Sequence, residues 1–260
     1  MTQSLLMTQH DGVTTFTINR PTVRNAVDAP TMIALREGIE ACENDGTRVI
    51  VITGANGAFS SGTDIGVALQ PRNTPDDIYT TLTESYGPTL LAIRNASWPV
   101  IAAVDGMAAG LGCDLALACD LRLISTRGAF AELFIKVGLV PDGGGTYTLP
   151  RLIGIGRALE LMWSGRTVDA EEAVRIGLAN AVLPTETFMD EVQRYAAQLA
   201  QQAPLALKHG KRTMLADLDG TFAEALDREA RAQREIFASE DGWEGFRAFA
   251  EKRKPEWKGR

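Results

Sequence analysis

Two stretches of this 260-residue chain bring together residue types that stabilise negative charge through backbone dipoles. The first runs from Pro99-Val-Ile-Ala-Ala-Val-Asp-Gly106 through Gly110-Leu111-Gly112-Cys113-Asp114 to Cys119-Asp120. Its β-branched apolar opening marks a buried strand, and Cys113 to Cys119 reads as a buried helix. The glycine-rich turn between them lets N–H groups approach a ligand with no Cβ in the way. At a helix start those groups lack an intrahelical partner and lie at the positive end of the dipole. That arrangement suits an anion or a developing oxyanion. The same glycines also fit a tight connection that needs them only for packing. The second stretch is Arg48-Val-Ile-Val-Ile-Thr53, a strand pattern, followed by Gly54-Ala-Asn-Gly57-Ala-Phe59-Ser60-Ser61-Gly62-Thr63-Asp64. Two such turns on neighbouring strands can aim one N–H each at a single carbonyl oxygen.

The elements that must position these turns are legible in outline. Leu5–Thr8 and Val13–Ile18 read as strands joined at Asp11-Gly12, a hairpin signal. Pro21 to Asn25 is a polar turn. Pro30 to Asn44 has helical spacing, with Asp28 as its cap and Pro30 in the first turn. Gln70 to Asp77 is a proline-containing loop, and Ile78 to Asn95 a helical region that stops at Ser97-Trp98-Pro99. Leu121–Ile124 and Leu178–Leu183 are short strands. Phe130-Ala-Glu-Leu-Phe134 leads into a further glycine turn, Gly138 to Gly145, and Thr146 to Ile153 begins another helix. Helices dominate after Gly156, with Thr185–Gln202, Pro204–Leu215 and Thr221–Arg253 each read as one. Strand–turn–helix units come first and helices last, so the class is α/β.

A composition of 45% hydrophobic and 23% charged residues fits a soluble globular chain. The net charge of −7 argues against nucleic acid or an anionic membrane as partner. Cys42, Cys113 and Cys119 form no CxxC pair, which suggests a reducing compartment. Neither a signal peptide nor an apolar run of membrane-spanning length is visible, so a cytoplasmic location is expected. His10 and His209 both lie outside the glycine-rich stretches, and no Cys/His spacing suggests a metal. Carboxylates and backbone dipoles are left to do the chemistry.

The chain resembles the crotonase (enoyl-CoA hydratase/isomerase) superfamily. The resemblance rests on Phe59-Ser-Ser-Gly-Thr-Asp64, Pro99-Val-Ile-Ala-Ala-Val-Asp-Gly106, Gly110-Leu-Gly112, Leu117-Ala-Cys-Asp120 and Gly138-Leu-Val-Pro-Asp-Gly-Gly-Gly145. Arg20-Pro21, Arg24-Asn25-Ala26 and Glu251-Lys-Arg-Lys-Pro255 fit as well, so it spans nearly the whole chain. It implies a ββα superhelical core over residues 1–200 and a C-terminal helical oligomerisation region over 201–260, assembled as a trimer or a hexamer. It implies an acyl-CoA substrate with no cofactor beyond the coenzyme A of the thioester, in fatty or aromatic acid degradation.

The resemblance also assigns roles. Backbone N–H groups of Thr63 and Leu111 would hold the thioester carbonyl as it becomes an enolate, with Ser61, Gly62, Asp64, Gly110 and Phe134 around the substrate. Arg24, with Lys252, Arg253 or Lys254, would meet the phosphates of coenzyme A. Family hydratases use two glutamates. Asp114 stands at the first position, one methylene shorter, and Phe134 at the second. Glu132 lies two residues away, on a different face if the segment is helical. Asp142 by itself reads as the cap of a helix over Gly143 to Ile153, and the resemblance favours a catalytic role, because isomerases of the family keep a working aspartate at that place. Asp114 is likewise either catalytic or a dipole partner in its helix's first turn. Phe59, Trp98, Phe134 and Trp163 are candidates to shape the acyl pocket, or core. Isomerisation of an acyl-CoA double bond is the expected reaction. Hydration, and thioester binding without catalysis, are the alternatives.

Overall fold

The computed structural model describes residues 3–68 and 74–260. Nine strands occur among them: β1 (Leu5–His10), β2 (Val13–Ile18), β3 (Val49–Gly54), β4 (Val100–Val104), β5 (Met107–Ala109), β6 (Leu121–Ser125), β7 (Ala129–Ala131), β8 (Thr167–Asp169) and β9 (Ala181–Leu183). The larger sheet has the order β1-β2-β3-β4-β6-β9, parallel except for the β1–β2 hairpin. That hairpin turns at Asp11 and Gly12, both at positive φ, as the Asp-Gly pair requires. The smaller sheet has the order β5-β7-β8 and is prolonged by lone bridges between Ser60 and Ala108 and between Val27 and Thr63.

The superhelix follows from this pairing. A strand of the large sheet passes through a glycine turn into a strand of the small one, then into a helix that returns the chain. β4, β5 and α5 (Leu111–Ala118) show the pattern, and the helices before them are α1 (Ala29–Ala41), α2 (Ile65–Ala68), α3 (Pro75–Thr81) and α4 (Gly87–Asn95). Helices α6 (Gly145–Ile153), α7 (Ile155–Ser164) and α8 (Ala170–Ile176) complete the core, and α9 (Phe188–Ala200) covers the outer face of the large sheet. Val49, Val51, Ile101 and Leu123 pack on Phe188, Val192 and Ala196 of α9, while Ile50, Ile52, Ala102 and Ile124 face the main core. Both sheet faces are therefore buried, which is why these strands read as unbroken apolar runs. Asp28 caps α1 through the Thr31 N–H, as its sequence position suggests.

Several expectations need correction. β5, β7 and β8 are three residues each, too short to show a period of two, and the sequence reading did not contain them. The helical region before Trp98 starts earlier, at Pro75, behind a capping box of Thr74 and Asp77. It then loosens into a π-turn over Leu82–Tyr86. Pro88 lacks the N–H that would continue the ladder, and the Gly87 N–H reaches back five residues to Leu82. Residues 70–73 of the expected proline loop lie outside the described residues. Thr221–Arg253 is two helices, α11 (Phe222–Phe237) and α12 (Glu244–Glu251). The break falls at Gly242, where a Cβ would lie 2.6 Å from the Ile236 carbonyl oxygen. With α10 (Pro204–Asp217) they form the C-terminal helices, and Lys208 and Lys211 of α10 pair with Glu43 and Asp120 of the core. No helix among the described residues is long and apolar enough to cross a membrane.

Candidate active site

The two glycine turns meet back to back. The Phe59 and Ser60 N–H groups both donate to the Met107 carbonyl (3.1 Å), the Ala109 N–H to Ser60 (2.9 Å), and the Gly110 N–H to Ala131 (2.9 Å). These bonds use the donors on either side. Among the described residues, neither the Thr63 nor the Leu111 N–H donates to a protein oxygen. Gly62 (φ 95°) lets the turns close, because a Cβ there would lie 2.8 Å from the Ala109 oxygen and 3.3 Å from the Leu111 nitrogen. Gly110, at φ 51° and ψ −127°, starts α5 in a conformation a side chain disfavours. The Leu111 side chain is buried against Gly143, so only its backbone faces outward from the turn.

Beside these donors lie three acids. Asp114, in the first turn of α5, is fully buried and accepts the Gly143 N–H through Oδ2 at 2.9 Å, while Oδ1 has no partner. Gly143 and Gly145 make room for it: a Cβ at either would come within 2.5 Å of an Asp114 side-chain atom. Burial pushes its carboxyl well above the usual range, and the Glu132 charge pushes further, with partial relief from the Gly143 and Gly145 backbone. Asp142 sits in the turn before α6, half-buried, with Oδ1 unpartnered. Burial raises it to about 6. Glu132 is 3% exposed, and neither of its oxygens has a hydrogen-bond partner. Burial raises it to about 7, the Cys113 thiol lowers it, and Asp142 raises it.

A family model described as enoyl-CoA hydratase/isomerase matches residues 8–260. The chain belongs to this family, the crotonase superfamily. It is similar to a Rhodobacter capsulatus protein named probable enoyl-CoA hydratase, 38% identical over 96% of each chain. It is similar as well to the carnitinyl-CoA dehydratase of Citrobacter koseri, 36% identical over the full length of both. The crystal structure of an enoyl-CoA hydratase from Bacillus anthracis superposes with a TM-score of 0.94, at 29% identity over 99% of this chain and 100% of that one. The fold is the crotonase fold, and the family acts on acyl-CoA thioesters.

Against that background the structure resolves two ambiguities. Asp142 does not cap α6. The helix begins at Gly145 with Gly144 (φ 92°) as its cap residue and no side-chain cap bond. A helical segment would turn Glu132 to a different face, and the segment is not helical at this residue. The residue follows β7 in a non-helical conformation (φ −84°, ψ 80°) just before the 3-10 turn Leu133–Val137. Its charge raises the Asp114 carboxyl and the Asp142 charge raises its own, and the Phe134 ring lies 3.9 Å from where a Gly110 Cβ would stand. The only hint in the sequence was a carboxylate in an otherwise apolar run.

The remaining candidates are placed as follows. The Ser61 N–H donates to the Arg24 carbonyl (3.1 Å) and its hydroxyl to Val23 (3.0 Å), so exposed Arg24 stands directly behind the donor turn. Asp64 is engaged by Arg20 (2.8 Å) and by the Gly66 N–H (3.0 Å), which assigns its side chain to holding the turn. Arg253 is paired with Glu244 and Glu251, while Lys252 and Lys254 are exposed. Trp98 is not at the site. It precedes β4, whereas the donor turn follows it, and its indole N–H bonds Cys42 (3.0 Å) under Lys208. Phe59 is core, fully buried, and Trp163 is exposed on α7.

Proposed function

We propose that this enzyme isomerises the double bond of an acyl-CoA, or carries out a related enolate rearrangement. The observation that carries the reading is Asp142: a half-buried carboxylate with a free oxygen, released from any capping duty, among other acids. The Thr63 and Leu111 N–H groups would hold the thioester carbonyl ~3 Å away and stabilise its charge as a proton leaves the neighbouring carbon. Asp142 would take that proton and return it at a second carbon. Its rise to about 6 keeps it ionised at neutral pH yet basic enough to accept a proton. Phe134, an apolar ring where hydration would use a carboxylate, supports the same direction.

Hydration is the second reading, because Glu132 supplies another carboxylate beside Asp114 and several relatives carry hydratase names. Trans-2-enoyl, 3-enoyl and aryl-acetyl CoA esters, with product identification by mass, separate the two. We expect 3-enoyl to 2-enoyl conversion that Asp142→Asn abolishes. Rapid crotonyl-CoA hydration indifferent to Asp142→Asn would replace this reading with an Asp114-centred hydratase, and binding without turnover would remove catalysis altogether.

The same reading places the phosphates of coenzyme A near Arg24, with Lys252 and Lys254 available, and requires no further cofactor. Assembly as a trimer or hexamer is supported by the exposed aromatic cluster of Phe237, Trp243 and Phe246 on the C-terminal helices. Light scattering at micromolar protein tests it, with a stable monomer as the contrary result. A cytoplasmic location accords with three unpaired, buried cysteines.

A further inference from the structure

We propose that Glu132 is a positioning residue that stays protonated while Asp142 is ionised, so that a single carboxylate charge stands beside the forming enolate. The inference rests on the isomerase reading and names a participant that reading does not use. Its first support is geometric. Glu132 directly follows Ala131, which is fixed on one side by β5 and on the other by β8. The backbone leading into Glu132 is therefore anchored, and the side chain is directed into the protein with 3% of its surface exposed. A buried carboxylate with both oxygens unpartnered is costly in any native structure, and more so when ionised.

The second support is the company it keeps. The Glu132 and Asp142 charges raise Asp114, backbone N–H groups lower it, the Asp142 charge raises Glu132 while the Cys113 thiol lowers it, and the Asp142 charge also acts on the Tyr86 hydroxyl. Among the described residues no Lys, Arg or His contributes to any of the three carboxyls. Buried acids that raise one another with no cation among them cannot all ionise, so the cluster must retain protons. Asp114 and Glu132 are the two most buried members and Asp142 the least, which places the resting charge on Asp142.

Proton bookkeeping then closes simply. Asp142 takes a proton from one carbon of the acyl chain, and the electron pair left behind moves into the thioester enolate held by Thr63 and Leu111. Asp142 returns that proton to the second carbon and is ionised again. The Glu132 proton does not move. Were Glu132 to ionise, its charge would oppose both the loss of a substrate proton to an enolate and the binding of that enolate. Activity should thus rise with pH as Asp142 ionises, around 6, and fall again as Glu132 ionises, around 7.

Glu132→Gln keeps the shape and cannot ionise. In kcat/KM against pH for 3-enoyl-CoA, the wild type should lose about tenfold per unit on its alkaline side. The variant should lack that limb and exceed the wild type about tenfold or more at pH 8.5, while its acid limb stays in place, because Glu132 is uncharged when Asp142 ionises. An infrared readout needs no turnover: the carbonyl stretch of a protonated carboxylic acid at pH 6 should lose intensity in Glu132→Gln. If Glu132→Gln fails to fold, Glu132→Met reports the same limb and the same band. An unchanged alkaline limb, an equal loss at every pH, or an unchanged infrared band would each overturn the proposal. Asp142→Asn, tested alongside, separates the two claims. If it retains isomerase activity the reaction assignment fails, whereas the infrared result on Glu132 stands or falls by itself.

Discussion

Asp114 and Asp120 stand six residues apart at opposite ends of α5, and both are carboxylates removed largely from water. At Asp120 the fold answers the charge. Lys211 of α10 lies 2.7 Å from Oδ2, and the Val100 N–H donates to the same oxygen at 2.7 Å. Burial still raises its carboxyl, but Lys211 opposes the rise. At Asp114 one backbone N–H answers, one oxygen is left bare, and the nearest charges are two more acids. One end of the helix is built as a compensated joint between core and C-terminal helices. The other is kept electrostatically tense around a pair of idle backbone donors. Uncompensated burial is expensive, and a fold tolerates it where the perturbed groups are of use.

The contrast can be broken from either end. The largest effect should come from Asp142→Asn, which removes the base of the proposed isomerisation. Isomerase turnover should fall by about 10²–10⁴-fold. The melting temperature at neutral pH should hold or rise, because Asp142 caps no helix and its carboxylate is disfavoured by burial in the fold, and parallel calorimetry checks that. Leu111→Pro should cost about 100-fold in kcat by deleting one donor. Proline is tolerated at the first position of a helix, so circular dichroism should show α5 intact. A folded Leu111→Pro enzyme with full activity would remove the donor pair from the mechanism.

Stability gives the smaller effects. A Glu132 pKa of about 7, above the ordinary 4.5, means that the fold holds this proton more tightly than the unfolded chain does. The resulting stability is complete below about 4.5 and is lost as pH rises through 7. Glu132→Gln, which has no proton to lose, should therefore gain on the wild type by about 3 kcal/mol at pH 8 and by nothing comparable at pH 4. Denaturant midpoints at the two pH values measure this. Asp120→Asn should do the reverse at the compensated end. It leaves Lys211 without its carboxylate and should cost about 2 kcal/mol at neutral pH, with kcat/KM unchanged. A loss of activity as large as that of Asp142→Asn would mean the two ends are coupled.

Much of this was legible in the residues themselves. The donor turns are local objects: glycines at Gly62 and Gly110, a β-branched strand before and a small-residue helix after, all within a few positions of Thr63 and Leu111. Backbone conformation at such places depends on neighbours in sequence, so the pattern announces itself. The hairpin at Asp11-Gly12 and the Asp28 cap were readable for the same reason. The whole-chain order of motifs pointed to the family, and the family model and the superposed structures agree with it.

The acids were different, because their roles depend on what burial and distant chain segments do to them. Asp142 by itself read as a helix cap until the start of α6 was known, and α6 begins three residues later, at Gly145. Glu132 was dismissed by helical geometry that the chain does not adopt, since three-residue strands paired to β5 and β8 set its direction. Trp98 was a pocket candidate by residue type, but β4 carries it to the opposite end of the sheet from the donor turn. Local sequence determined the backbone donors, because conformation at a glycine turn is a short-range matter. Only the tertiary structure decided which carboxylates face one another without a cation, because desolvation and charge are properties of everything packed around a group.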